Sequence, residues 1–269
     1  MNGFDLSTIS GAYIGSNPIN AIYLGSNKIW PITKHDYSQD YFTIEAITSG
    51  TVTFGIVNTG EVSVDLSRDI FYSSTNGDTW NSWPYSGSFN IINGEKLLLK
   101  CEASGYAYME FGWWQFGGTA QVKIYGNIMS MIYGDNFVNK TSLSSAAIYT
   151  FEKLFYNYTN LLDASNLILA ATTLSGACYY HMFDRCTNLT TAPLLPAPIL
   201  NNYCYEGMFS RCTNLNYIKM MATDISATDC LKSWTYGVSS TGTFVKNAAM
   251  TNLPTGTSGV PAGWNIINE

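Results

Sequence analysis

The stretch Cys178-Tyr179-Tyr180-His181-Met182-Phe183-Asp184-Arg185-Cys186-Thr187-Asn188-Leu189 returns 26 residues later (178 to 204) as Cys204-Tyr205-Glu206-Gly207-Met208-Phe209-Ser210-Arg211-Cys212-Thr213-Asn214-Leu215. A looser copy precedes both, Leu154-Phe155-Tyr156-Asn157-Tyr158-Thr159-Asn160-Leu161, and Cys230 continues the cysteine spacing. Self-similarity at a period of roughly 20 to 50 residues marks a solenoid, whose units bury their apolar faces only against their neighbours. Residues 151–234 therefore organise the chain. The residues before Asp135 present the array, and those after Asn216 close it.

Cys178, Tyr179, Met182, Phe183 and Cys186 recur at i, i+1, i+4, i+5 and i+8, a pattern that predicts one face of a short helix. Cys204, Tyr205, Met208, Phe209 and Cys212 repeat it. Extended segments come next, over 164–174 and 192–200. In the second of these Pro193, Pro196 and Pro198 forbid a helix and leave an edge-like or irregular strand. The outward positions are Tyr180, His181, Asp184 and Arg185, matched by Glu206, Gly207, Ser210 and Arg211. Such a row is either a solvated stripe or a ligand-facing one. The cysteines read as a ladder of buried thiols behaving as small hydrophobes. Zinc needs ligands a few residues apart, which the eight-residue step from Cys178 to Cys186 does not supply.

Upstream, Tyr13-Ile14-Gly15-Ser16-Asn17-Pro18-Ile19 recurs as Tyr23-Leu24-Gly25-Ser26-Asn27-Lys28-Ile29, ten residues on, and Trp30-Pro31 ends the segment. Each copy predicts strand, turn, strand. Two such hairpins have no core of their own. They either extend the sheet of the next domain or anchor residues 1–33 to another surface. A polar linker leads into 41–133, where Phe42, Ile44 and Ala46, Val52, Phe54 and Ile56, and Leu97 and Leu99 alternate with other residues. Asn76-Gly77 and Asn93-Gly94 are hairpin turn signals. The expectation is an antiparallel β-sandwich. It carries Trp80, Trp83, Trp113 and Trp114. Alternation along 109–116 puts Trp113 on one face and Trp114 with Phe116 on the other, so one tryptophan is expected in the core and the other outward or at an interface. Trp114 is the candidate sugar platform, weighed against burial or an oligomer contact. Between sandwich and repeats, Ile128, Met129, Met131 and Ile132 are expected to cap the first repeat.

Charged residues make up 12% and the net charge is −6, without basic clusters, which argues against nucleic acid and anionic membranes as partners. No apolar run is long enough to insert into a membrane. The N-terminus, Met1-Asn2-Gly3-Phe4-Asp5, has no signal-peptide character, so synthesis in a cytoplasm and release by lysis are expected. The two histidines, His35 in the linker and His181 on an outward face, sit in no context that suggests a catalytic base. No phosphate-cradling glycine loop is present. Neither a catalytic set, a metal site nor a cofactor is expected.

At the repeats the sequence resembles the BspA-like leucine-rich-repeat proteins of gut bacteria and their phages. Their unit reads roughly Cys-Tyr-x-x-Met-Phe-x-x-Cys-Thr-x-Leu, then Ala-Pro-x-Leu-Pro-Ala. Cys178 to Leu200 and Cys204 to Leu215 match it, and Leu215 to Trp264 is similar to the usual ending of the family. The first copy departs, with Tyr158 for the second cysteine and Ala170-Ala171 where Pro196-Ala197 stands later. The Tyr-Leu-Gly-Ser-Asn pair near the N-terminus is similar to segments of phage virion proteins, including fibre and head-associated proteins of the crAss-like type. The resemblance implies a mainly β chain in three parts: an anchor hairpin repeat at 1–33, a β-sandwich at 41–133, and a leucine-rich-repeat array of short strands and short helices with its cap at 134–269. It implies a non-enzymatic virion subunit, a head or tail fibre or decoration protein. Such a subunit is attached to a capsid or tail protein through Tyr13, Ile14, Gly15, Ile19, Tyr23, Leu24, Gly25, Ile29 and Trp30. Host-surface glycan or protein would meet Tyr180, His181, Arg185, Glu206, Arg211 and Trp114. A homo-oligomer is expected, a trimer in preference to a dimer. The alternatives are a bacterial surface adhesin with the same repeats and a carbohydrate-binding module.

Overall fold

The computed structural model describes residues 12–14, 17–19, 22–24, 27–30, 36–58, 70–74, 77–83, 87–101, 112–143 and 148–269, and for those before residue 31 the backbone alone. The chain divides into two compact units, Met1–Asp36 and Tyr37–Glu269. In the first, β1 (Ala12–Ile14) pairs antiparallel with β2 (Asn17–Ile19), and β3 (Ile22–Leu24) with β4 (Asn27–Trp30). The ten-residue sequence repeat is thus a pair of two-stranded hairpins. Gly15 and Gly25 lie outside the described residues.

The second unit is mainly β. Its largest sheet contains β5 (Phe42–Ala46), β7 (Ile70–Ser73), β8 (Asn81–Ser82), β10 (Lys96–Cys101), β12 (Val122–Asn127) and β13 (Leu161–Ile168), in the order β13-β12-β5-β10-β7-β8. A smaller sheet has the order β11-β6-β9, from β6 (Gly50–Asn58), β9 (Gly87–Ile91) and β11 (Gly112–Gly117). Period-two alternation sends Phe42, Ile44 and Ala46, Leu97 and Leu99, and Val122 and Ile124 inward, all buried. Phe42 of the large sheet meets Phe116 of the small one with ring centroids 5.6 Å apart. Gly77 lies in the turn of the β7–β8 hairpin. Asn93-Gly94 does not close a hairpin: β9 pairs with β6 while β10 pairs with β5 and β7, so this turn carries the chain from one sheet to the other.

On the large sheet the Lys100 ammonium lies 2.8 Å from both Asp135 carboxylate oxygens and 4.5 Å from the centre of the Trp80 ring. The Tyr41 hydroxyl donates to the same carboxylate at 2.7 Å. Burying an ammonium is tolerable only with partners of this kind.

β13 belongs to the first repeat, yet it pairs parallel with β12, so one sheet runs across the junction at 133–134. Ile128, Met129 and Met131 are buried there, Ile132 half-buried, and α1 (Ser130–Tyr133) is the one α-helix among the described residues. The aromatic core crosses as well. Phe54 stacks on Phe116 at 4.0 Å, Phe116 on Phe155 at 5.6 Å, Phe155 on Phe183 at 5.2 Å and Phe183 on Phe209 at 5.6 Å. A second column runs from Phe151 to Tyr179 to Tyr205 at 5.8 and 5.9 Å.

The short helices expected in the repeats are instead chains of turns. Glu152, Tyr156 and Tyr158 donate their backbone N–H groups three residues back, to Tyr149, Lys153 and Phe155. The alternate residues Phe151, Lys153, Phe155 and Asn157 donate to the next coil, to the carbonyls of Cys178, Tyr180, Met182 and Asp184 at 2.8 to 2.9 Å. That coil repeats the scheme, with Tyr179, His181, Phe183 and Arg185 donating to Cys204, Glu206, Met208 and Ser210. The third does likewise, from Tyr205, Gly207, Phe209 and Arg211 to Cys230, Lys232, Trp234 and Tyr236. Every fourth residue takes positive φ: Lys153 and Asn157, Ala177, His181 and Arg185, Tyr203, Gly207 and Arg211, then Asp229, Ser233 and Gly237. An α-helix would satisfy its N–H groups internally. Here half of them bond the neighbouring coil, so each coil is completed only by the next.

After residue 161 the extended segments differ among themselves. Residues 191–200 form isolated parallel bridges, Thr191 to Tyr217, Leu195 to Met220 and Ile199 to Asp224. The three prolines there remove ladder donors. β14 (Tyr217–Met220), β15 (Thr243–Lys246) and β16 (Asn265–Asn268) then make a parallel three-stranded sheet. Phe244, Val245, Val260 and Trp264 are buried as expected of a closing segment, and Leu253 is half-buried. The stacking nonetheless continues to the last strand, further than the sequence repeat is legible.

Candidate binding face

The four-residue turn rhythm fixes which side chains leave the coils. Pairs such as Cys178-Tyr179 and Met182-Phe183 point in, and the pairs between them supply the outer residues, although Asp184 and Ser210 among them are buried. Inter-coil hydrogen bonds put Asn157, Arg185, Arg211 and Gly237 at one position of successive coils, and Tyr156, Asp184, Ser210 and Tyr236 at the position before it. Arg185 and Arg211 are exposed; Asp184 and Ser210 are buried. The Arg185 guanidinium lies 5.9 Å from the centre of the Tyr156 ring, and that of Arg211 lies 5.4 Å from Tyr236.

Tyr180, His181 and Glu206 are half-buried members of the same outer surface. Tyr180 packs edge-on against His181 at 4.4 Å and against Tyr149 at 5.9 Å. Glu206 is paired with Lys232 at 3.1 Å, and Lys232 also reaches Asp229 at 3.3 Å. These two carboxylates hold the Lys232 ammonium pKa above its ordinary value. His181 Nδ1 stands 2.8 Å from Asp184 Oδ2, while Asp184 Oδ1 and the Tyr179 hydroxyl are buried without a hydrogen-bond partner.

Trp114 is half-buried and stacks on Phe54 at 5.0 Å, the core side of β11. Its neighbour Trp113 faces the other way. There the Lys153 ammonium sits 3.9 Å from its ring centre, and its indole N–H donates to Gln115, which in turn donates to the Tyr156 carbonyl at 2.6 Å. The sequence singles out Trp114, Arg185 and Arg211 but not Trp113, Lys153, Tyr156 or Tyr236. Aligning the four coils by their turn positions, rather than by cysteines alone, would have put Tyr156 and Tyr236 in the column beside the arginines.

None of the six cysteines forms a disulfide, and all are buried. The thiols of Cys186 and Cys212 donate to the carbonyls of Phe155 and Phe183, one coil below, each at 3.0 Å. Burial pushes the Cys204 thiol pKa up to about 12 and that of Cys230 up to about 11, and those of Cys178 and Cys212 well above the ordinary thiol range. Such groups are inert packing elements, not nucleophiles. Among the described residues no cluster of histidine, cysteine, aspartate or glutamate could hold a metal ion, and no helix is long and apolar enough to cross a membrane. An open depression of about 300 Å³ on the small sheet is lined by Thr53, Phe54, Val57, Gln115 and Phe116 with three glycines, and it brings no ionisable group together.

No protein-family model matches the chain, and no curated protein or solved structure matches it.

Proposed function

We propose that this protein is a non-enzymatic phage virion subunit, a head or tail fibre or decoration protein. Residues 1–33 attach it to a capsid or tail protein, the two sheets act as a β-sandwich stalk, and the coils, a BspA-like leucine-rich-repeat array, meet the host surface. The observation that carries the anchor assignment is that the described residues of the first unit form two hairpins of two strands each. Sheets that small are marginal by themselves and gain stability from a surface to lie on. Support for the binding role comes from the outer surface of the coils, where Arg185 and Arg211 stand in register on adjacent coils and Tyr156 and Tyr236 flank them on the coils at either side. A side chain repeated once per coil suits binding by area, and several copies per particle raise weak affinity through effective concentration. The chain assembles as a homo-oligomer, a trimer in preference to a dimer, and its working place is the virion, reached from the host cytoplasm through lysis.

The reading is tested by producing the chain with and without residues 1–33 during phage growth and measuring incorporation into purified particles. Full-length protein should co-purify with particles and the shortened one should not. Equal incorporation of both removes the anchor assignment. Absence of both removes the virion reading and favours a bacterial surface adhesin.

A further inference from the structure

Resting on that binding role, we propose that Arg185 and Arg211, with Tyr156 and Tyr236 on the flanking coils, form a binding site for an acidic polysaccharide, one carrying carboxylates on successive sugars. Every fourth residue of the coils takes positive φ, and the two arginines stand at such positions. Arg185 and Arg211 hold φ of 66° and 60°, and the corresponding position of the next coil is occupied by Gly237 at φ 73°. A side chain at such a position costs about 1–2 kcal/mol relative to glycine. Packing does not explain arginine there, since both side chains are exposed.

Their charge is also unmatched. On a chain of net charge −6, neither guanidinium has a carboxylate within ion-pair distance among the described residues. The nearby acids are engaged elsewhere: Asp184 with His181, Glu206 and Asp229 with Lys232, and Glu152 with Lys153. Two exposed cations stand on adjacent coils without an anion among the described residues to neutralise them.

The site has a shape to match. Arg185 and Arg211 share one position of adjacent coils, and Tyr156 and Tyr236, on the coils at either side, stand at the position before it, which the buried Asp184 and Ser210 fill between them. Each guanidinium lies against a ring, which orients its planar fork. Arginine binds carboxylates through two parallel hydrogen bonds. A nucleic acid would require a wider basic track than two guanidiniums beside Glu152 and Glu206.

The test is isothermal titration of the full chain with polygalacturonate oligomers, dextran sulfate and neutral dextran, at low and high salt. Wild type should bind polygalacturonate more tightly than dextran sulfate, ignore dextran, and lose affinity in salt. Arg185→Gln and Arg211→Gln should each weaken binding about tenfold, as expected for loss of a charge-assisted pair, and the double variant should abolish it. Arg→Lys at both sites should recover only part. Both positions are exposed, and an unchanged urea midpoint verifies folding. Binding by the double variant equal to wild type, preference for dextran sulfate, or no binding to either anionic polymer overturns the proposal. Adhesion to host cells separates this from the broader role: wild type and double variant adhering equally sinks the site alone, whereas wild type failing to adhere sinks the host-binding role itself.

Discussion

Gly207 lies directly over the imidazole of His181: a Cβ built on Gly207 would stand 2.2 Å from His181 Cε1, and Gly207 has φ of 62°. The glycine is therefore favoured by its backbone and required by the ring beneath it. Gly207→Ala should destabilise the protein by at least about 2 kcal/mol, from positive-φ strain plus overpacking. Adding His181→Ala should return the overpacking part and leave the strain. Urea midpoints of the two single variants and the double variant give the coupling. Additive effects would show that the ring and the glycine do not press on each other.

The phenylalanine column joins the sheets to the coils, with Phe183 between Phe155 at 5.2 Å and Phe209 at 5.6 Å. Phe183→Ala should cost about 3–5 kcal/mol. Because the core and the large sheet both run through the junction, residues 37–269 should still unfold in one step. Tryptophan fluorescence and far-ultraviolet circular dichroism should give coincident transitions. Two separated transitions would mean that sheets and coils are independent.

Stability should fall on acidification through two carboxylates. Hydrogen bonds from Lys100 and Tyr41 hold Asp135 below its ordinary 3.8. Burial would raise Glu45, but hydrogen bonds from Lys123 and Tyr125 and the charges of Lys123 and Lys96 outweigh it, leaving Glu45 below its ordinary 4.5. A carboxylate depressed in the folded state contributes stability that is complete above its unfolded pKa and disappears as pH falls through the folded one. The urea midpoint should hold steady down to about pH 5 and decline below about pH 4. In Lys100→Met the decline should be shallower. An identical slope would deny that the Lys100–Asp135 pair is coupled to acid unfolding.

The buried thiols should resist a water-soluble disulfide reagent in the native protein and react on unfolding. Among the five thiols of the coils Cys230, whose pKa is raised least, to about 11, should be the first to react. Peptide mapping of the labelled protein identifies it. Rapid native labelling of Cys186 or Cys212 would contradict the ladder.

Much of this structure is legible in the residues, and the misreading has a physical cause. Alternation at Phe42, Ile44, Leu97 and Leu99 identifies strands because period two has no close competitor. The inward set Cys178, Tyr179, Met182, Phe183 and Cys186 fits a helix of 3.6 residues per turn and a turn chain of four equally well over so short a stretch. The discriminating sign is at positions 177, 181 and 185 and their successors, where one residue per turn must accept positive φ; only Gly207 and Gly237 advertise this, because alanine, histidine, arginine and tyrosine occupy others. The parallel pairing of β12 with β13 joins residues far apart in sequence and leaves no local mark. The site is half legible. Copy alignment finds Arg185 and Arg211, but the contact of Lys153 with Trp113 depends on how the first coil meets β11.

Cryo-electron microscopy of purified particles tests most directly whether the chain stands on a particle by its hairpins and turns its coils outward. Density is expected for residues 1–33 against a capsid or tail protein, with the Arg185–Arg211 face of the coils accessible from outside. Particles that lack the chain, or that hold it with that face buried against the virion, would contradict the proposed role.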